Sequence, residues 1–189
     1  MTGKTHQILG LSSGITYVLL AQSASYAPAT LAATMVAGHL AALVPDLDES
    51  TALIWDKMPF GHVFGGIADP FIKHRNFTHS ILGIGLFAVG AHWIYSFFPS
   101  YWGINSQILF FGSVISYASH IIADMFTQEG VPLFFPFSKM IGIPPKPLDG
   151  IRIQTGEWFE NLVVFPALNL YLVIFVVWQW DKIKIILFK

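Results

Sequence analysis

Apolar residues in this chain gather into five segments separated by polar breaks. The segments cover residues 8–21, 29–44, 81–98, 104–123 and 162–180. The last three approach or reach the ~20 residues that a helix needs to cross ~30 Å of hydrocarbon, whereas the first two are shorter. The pattern predicts an all-α, polytopic membrane helical bundle that forms a single domain over residues 1–189.

Polar residues are concentrated in two longer connections, 45–80 and 124–160. The second connection contains five prolines, so a long regular helix is not expected there. Irregular backbone exposed to lipid leaves peptide groups without hydrogen-bond partners. We therefore expect both connections to lie outside the bilayer core or against protein.

Composition supports the membrane interpretation and removes several classes of function. Hydrophobic residues make up 54% of the chain and charged residues only 11%, against roughly 25% charged residues in soluble domains. The alternative is a very apolar soluble bundle, which the low charge disfavours. The net charge of −1 gives no basic surface for nucleic acid. The absence of cysteine excludes disulfides and thiolate metal sites.

Charge also predicts the orientation in the membrane. If the five segments alternate in direction, seven of the ten Lys and Arg residues fall on the side that carries the N-terminus and the two long connections. The positive-inside rule then places that side in the cytoplasm. We expect a multi-pass protein of the inner (plasma) membrane, in contact with membrane lipid.

The same topology brings seven candidate ligands to one membrane face. They are His6, Asp46, Asp48, His74, His79, His120 and Asp124. Ionisable groups at a membrane boundary are functional candidates by default, because placing them there is costly. The remaining histidines, His39, His62 and His92, are better explained as local hydrogen-bonding residues.

The spacing of these residues suits metal coordination. His120 and Asp124 are four residues apart and share one helix face, although an interhelical hydrogen bond explains such a pair equally well alone. Asp46 and Asp48 follow Pro45 and can face one centre in a turn, the alternative being solvated acids at a helix end. His74 is expected before the third segment and His79 at its start, with Thr78 as a candidate N-cap.

Two arginines are candidates for holding a substrate anion. Arg75 and Arg152 carry the planar guanidinium that binds phosphate or carboxylate through two parallel hydrogen bonds. For Arg75, an anchor to lipid headgroups is the alternative.

The ordered set of motifs resembles the YdjM-like family of bacterial inner-membrane, predicted metal-dependent hydrolases. The resemblance is carried by Thr5-His6, Pro45-Asp46-Leu47-Asp48, the stretch from His74 to Ser80, and the stretch from His120 to Gly130. The His/Asp layout is more distantly similar to helical zinc phospholipases C and P1-type nucleases. The resemblance implies metal-activated water attacking a phosphoester.

The leading hypothesis is therefore a membrane hydrolase that acts on a phosphoester or lipid, such as a phospholipid, at the membrane–water interface. The seven ligands would hold one to three divalent metal ions, with zinc first and manganese or iron as alternatives. Asp48 is the candidate general base, and Arg75 and Arg152 would bind the substrate. Two other hypotheses stay open: a metal transporter, and a non-catalytic protein with a structural metal. The oligomeric state is not defined by the sequence.

Overall fold

The described part of the chain is helical. The computed structural model describes residues 1–21, 27–48, 77–97, 103–137 and 139–188, without the side chain of Asp48. Six α-helices lie in these ranges: α1 Gly3–Leu20, α2 Pro28–Ala41, α3 Ile81–Ser96, α4 Ser106–Met125, α5 Phe165–Trp178 and α6 Trp180–Phe188. The described ranges contain no strand, only two isolated β-bridges. The prediction of an all-α fold is confirmed to this extent.

Helix α4 is the centre of the bundle. It packs against α1, α2 and α3, and α1 also packs against α2 and α5. Successive helices run in opposite directions, so the start of α1, the end of α2, the start of α3 and the end of α4 meet at one end. Two 3₁₀ turns, Val44–Asp48 and Phe77–His79, lie at that same end.

Small residues allow α1, α2 and α4 to approach closely. A Cβ added at Gly10 would lie 2.2 Å from Ala42 Cβ and 2.9 Å from the Gly38 carbonyl oxygen. Ser116 of α4 donates its hydroxyl to the Gly10 carbonyl at 2.8 Å. In lipid the hydrophobic effect does not drive helices together, so close van der Waals packing between small residues stabilises such crossings. The close crossing fixes the height of α1 relative to the other two helices.

Two helical segments among the described residues are long and apolar enough to cross a membrane. Ser106–Met125 is more than half buried in the bundle, whereas Glu160–Trp178 is almost wholly exposed. Ile81–Ser96 is apolar but shorter. An exposed apolar face of that length suits lipid better than water. The five-span topology stays a prediction, because α1, α2 and α3 do not meet the same criterion.

The C-terminal part differs from the sequence expectation. No helix was predicted beyond the fifth apolar segment, which ends at residue 180, but Trp180–Phe188 forms α6. Ile183 and Ile186 are buried in one cluster with Leu19 of α1, and Lys182 donates to the Leu19 carbonyl at 3.0 Å. Helix α6 therefore covers the end of α1, where carbonyl groups lack intrahelical partners.

The glycine crossing yields a first prediction. Gly10→Ala should destabilise the bundle by about 1–3 kcal/mol, because the added methyl forces α1 away from α2. Gly85→Ala is the matched control, since its Cβ would meet no atom within 4 Å. Thermal unfolding of the detergent-purified variants by circular dichroism measures both. A Gly10→Ala midpoint equal to that of Gly85→Ala would contradict the close crossing.

Candidate metal centre

Five of the seven predicted ligands meet at the common end of the helices. His6 lies in the first turn of α1, and Asp46 lies in the Val44–Asp48 turn. His79 ends the Phe77–His79 turn before α3, and His120 and Asp124 lie near the end of α4. Four separate parts of the chain therefore contribute to one cluster, which we call the His–Asp cluster.

Local structure explains the position of His79. Ser80, and not Thr78 as predicted, is the N-cap of α3: its hydroxyl oxygen accepts from the Gly83 amide at 3.2 Å. The cap ends the 3₁₀ turn at His79 and starts the helix directly behind it. The Tyr117 hydroxyl of α4 donates to the Thr78 carbonyl at 2.6 Å, which holds the turn against the central helix.

The polar atoms of the cluster surround a common centre. His120 Nε2 lies 3.3 Å from His79 Nε2 and 3.3 Å from Asp46 Oδ1. His79 Nε2 lies 3.6 Å from Asp46 Oδ1. Asp124 Oδ2 lies 3.7 Å from Nε2 of both histidines. Two imidazole nitrogens and two carboxylate oxygens thus face one another across a small space.

These separations suit a divalent metal ion. Tetrahedral zinc with nitrogen and oxygen ligands at ~2.0–2.1 Å has ligand atoms ~3.3–3.4 Å apart. The observed separations of 3.3–3.7 Å are close to that figure. Two three-residue groups with metal-ligand spacing are present in the described chain, His6–His120–Asp124 and Asp46–His79–His120. They share His120, so the cluster offers room for one ion or for two neighbouring ions.

Outer hydrogen bonds orient two of the rings. His120 Nδ1 lies 2.6 Å from the Ala42 carbonyl oxygen, which can only accept, so Nδ1 carries the proton. In the neutral form of His120, which is the form that binds a metal, the Nε2 lone pair then faces the cluster. His79 Nδ1 lies 3.2 Å from the Thr78 hydroxyl. A carbonyl or hydroxyl on the second ring nitrogen is typical of histidines that bind metals.

His6 is the least satisfied member of the cluster. Its ring stacks on that of His120 with centroids 3.5 Å apart. Its Nε2 lies 3.1 Å from Asp124 Oδ1, which also accepts from the Met1 amine. Neither ring nitrogen of His6 has a partner with hydrogen-bond geometry among the described residues. A buried imidazole without such a partner calls for an explanation, and a cation is one.

Electrostatics keeps Asp46 ionised. Burial raises the pKa of its carboxyl group, but the charge of protonated His120 and hydrogen bonds from His120 and His79 outweigh burial and hold the pKa well below its usual range. The carboxylate is the form that binds a metal. Asp46 is also the most open member, with 16% of its side chain exposed against 0–2% for the other four.

The remaining predicted residues are placed differently. His74, Arg75 and the side chain of Asp48 lie outside the described part, so their predicted roles stay predictions. Arg152 donates to three backbone carbonyls, at 2.8 Å to Pro144, 3.3 Å to Gly142 and 3.4 Å to Gln128. These bonds hold the 128–152 loop together and occupy three of the five guanidinium N–H groups. The predicted substrate role of Arg152 stays a prediction.

Glu160 was not among the predicted site residues, but its hydrogen bonds connect it to the start of α1. The buried carboxylate accepts from the Thr2 amide at 2.6 Å, the Thr2 hydroxyl at 2.8 Å and the Gly156 amide at 2.8 Å. Glu160 is the first residue of a π-helical turn, Glu160–Val164, that precedes α5. Glu160 therefore fixes the start of α1, and with it the height of His6. An acid at the start of an apolar segment was the available sequence signal.

Fold and site together define a helical membrane protein with a buried histidine–carboxylate cluster at one end of its bundle. The model of the family described as YdjM inner membrane protein matches residues 1–186. The chain belongs to this family, which confirms the resemblance read from the motifs. The family places it in the inner membrane.

Individual relatives agree with the family. The chain is 29% identical over 164 residues to "Uncharacterized protein YvsG" of Bacillus subtilis, covering 87% of this chain and 88% of that one. It is 38% identical over 102 residues to "Inner membrane protein YdjM" of Escherichia coli, and the same values hold for Shigella flexneri. That match covers 51% of this chain and 46% of the relative, so the chain spans about half the length of YdjM. No solved structure matches the chain significantly.

The cluster yields a second prediction. His79→Ala and Asp124→Asn should each weaken metal binding by more than about 100-fold, since loss of an outer partner alone costs 10–100-fold. His92→Ala is the control, because His92 is exposed on α3 and contacts Phe110. Mass spectrometry of metals in the detergent-purified proteins measures the effect. Equal metal content in His79→Ala and His92→Ala would exclude His79 as a ligand.

Proposed function

We propose that the protein is a membrane-bound, metal-dependent hydrolase that acts on a phosphoester at the membrane–water interface. The observation that carries this proposal is a set of two imidazole nitrogens, 3.3 Å apart, and two carboxylate oxygens, each 3.3–3.7 Å from both nitrogens, at one end of the bundle. Such a set of nitrogen and oxygen ligands, without sulfur, is typical of zinc hydrolases and also suits manganese or iron.

His6, Asp46, His79, His120 and Asp124 are the residues that would hold the metal. A divalent ion in this position would supply water acidified to a pKa of about 7 and would polarise the phosphoryl oxygen. Substrate would reach the cluster on the side of Asp46, because Asp46 is the only one of these five residues whose side chain is appreciably exposed. Asp48, two residues along the same turn, remains the proposed general base, with Arg75 and His74 as proposed substrate and metal residues.

The position of the cluster supports an interfacial substrate. It lies at the ends of α2 and α4 and at the starts of α1 and α3, which the proposed topology would place in the headgroup region. A phospholipid carries its phosphoester at that depth. A transporter would need its ligands near the bilayer midplane, which this arrangement disfavours. The excess of Lys and Arg on the cluster side supports a cytoplasmic site.

A structural metal is the second candidate function. Four of the five side chains are 0–2% exposed, and the five together connect α1, α4 and both 3₁₀ turns. A structural site is closed by protein ligands, whereas a catalytic site keeps one position open for water. Asp46 distinguishes a catalytic site from a structural one, because among the five described members only its side chain is appreciably accessible to water.

Turnover assays with paired variants test the proposal. Zinc-loaded protein in phosphatidylglycerol vesicles should release phosphorylated headgroup or diacylglycerol, and should lose this activity on chelation. Asp48→Asn should retain metal but lose about 10²–10⁴-fold in rate, as expected for a general base. Asp46→Asn should lose both metal and rate.

Asp181→Asn is the matched control, since Asp181 is exposed on α6 at the opposite end of α1 and pairs only with Lys184 at 2.9 Å in the described structure. It should leave metal content and rate unchanged. Stoichiometric metal without turnover of this lipid or of bis(p-nitrophenyl) phosphate would refute the hydrolase and leave the structural metal. A lower unfolding temperature after chelation would then be expected.

A further inference from the structure

An apolar groove runs along the outside of the bundle between α2 and α3. Its floor is α4, which contributes Leu109, and its walls include Val36 and Leu40 of α2 and Phe87 of α3. The groove has a volume of about 510 Å³, within the ~300–1,000 Å³ of sites that bind small ligands. Val36 and Leu40 are 62% and 46% exposed, so the groove opens sideways.

The groove is apolar along its length. Tyr95 lines it at the end distant from the His–Asp cluster, and its hydroxyl is bonded to Ser113 of α4 at 2.9 Å rather than left free. The other lining residues are Ala, Val, Leu and Phe. No charged side chain is among the described residues that line it. A sideways-opening groove with these walls, in a protein of the inner membrane, faces hydrocarbon.

The other end of the groove leads to the His–Asp cluster. Ala41 and Val44 line that end, and Val44 begins the same 3₁₀ turn that carries Asp46. Phe87 stacks on Tyr117 with ring centroids 4.6 Å apart. Tyr117 in turn holds the Thr78 carbonyl next to His79. The groove wall and the cluster therefore share residues and contacts, whereas the exposed face of α5 has no such connection among the contacts described.

We propose that this groove binds one acyl chain of a membrane phospholipid, with the headgroup phosphate at the end of the groove beside Asp46. Hydrolysis of the bound lipid at its phosphate depends on the proposed function, whereas binding of the acyl chain in the groove does not. Seating the chain in the groove would fix the depth and direction of the phosphoester. Positioning of this kind lowers the entropic cost of reaction. The substrate class would then be a diacyl phospholipid and not a soluble phosphoester.

Photo-crosslinking tests the seating of the chain. The full-length protein is placed in phosphatidylethanolamine–phosphatidylglycerol vesicles that contain phosphatidylglycerol with a diazirine in one acyl chain. After illumination, labelled residues are mapped by mass spectrometry. Val36, Leu40 and Phe87 should be labelled several-fold more than Val173 and Val177, which are 61% and 68% exposed on α5 and represent ordinary lipid contact. Equal labelling of the two sets would overturn the proposal.

Two variants sharpen the comparison. Ala37→Phe places an aromatic ring in the groove and should lower groove labelling several-fold, whereas Ala167→Phe on the exposed face of α5 should not. Groove labelling that is unchanged in a folded Ala37→Phe protein would also overturn the proposal. If Ala37→Phe fails to fold, the labelling ratio in the unaltered protein still decides.

The result is separable from the hydrolase proposal. Labelling is repeated after chelation, and lipid hydrolysis is measured in the same vesicles. Selective labelling without hydrolysis would support the lipid groove and refute the hydrolase. Hydrolysis of bis(p-nitrophenyl) phosphate without selective labelling would support the hydrolase and refute the groove.

Discussion

The mutual compensation of buried charges at one end of the bundle is the constraint on which the rest of this structure depends. Two aspartates and three histidines lie within a few ångströms of one another, and four of the five side chains are 0–2% exposed. Removing a charge from water costs several kcal/mol unless partners replace the solvent. Within the cluster, Asp46 and Asp124 each lie beside two or three imidazole rings. Divalent cations bound by the cluster would compensate the carboxylates and could also take up one ring nitrogen of His6.

The relative positions of the helices determine the geometry of this cluster. The members come from α1, α4 and two 3₁₀ turns, so the relative heights of the helices set every distance in it. The Gly10 crossing fixes α1 against α2 and α4, and Glu160 fixes the first residues of α1. Tyr117 fixes the turn that carries His79. These three contacts hold the helices and turns in fixed relative positions and so define the distances between the side chains of the cluster. Both metal binding and catalysis require such preorganisation.

Sequence patterns predicted the helices and the main cluster because both depend on local signals. The five apolar segments correspond to α1–α5, with ends within about five residues of those observed, and alternation of direction brought His6, Asp46, His79, His120 and Asp124 to one end. The contacts that sequence could not supply are long-range. Arg152 looked like an anion clamp, but the fold of its loop brings three carbonyls to its guanidinium. Helix α6 was not predicted, and the burial of Ile183 and Ile186 against α1 depends on tertiary packing that the sequence does not show.

The central claim is that the His–Asp cluster is a metal site, and X-ray absorption spectroscopy of the purified, zinc-loaded protein tests it most directly. The account predicts retained zinc with four to five nitrogen and oxygen ligands at ~2.0–2.1 Å and the outer-shell scattering of at least two imidazole rings, His79 and His120. Freshly purified, folded protein that retains no metal, or bound zinc whose spectrum lacks imidazole scattering, would contradict it. The cluster would then be a polar packing arrangement of helices and turns.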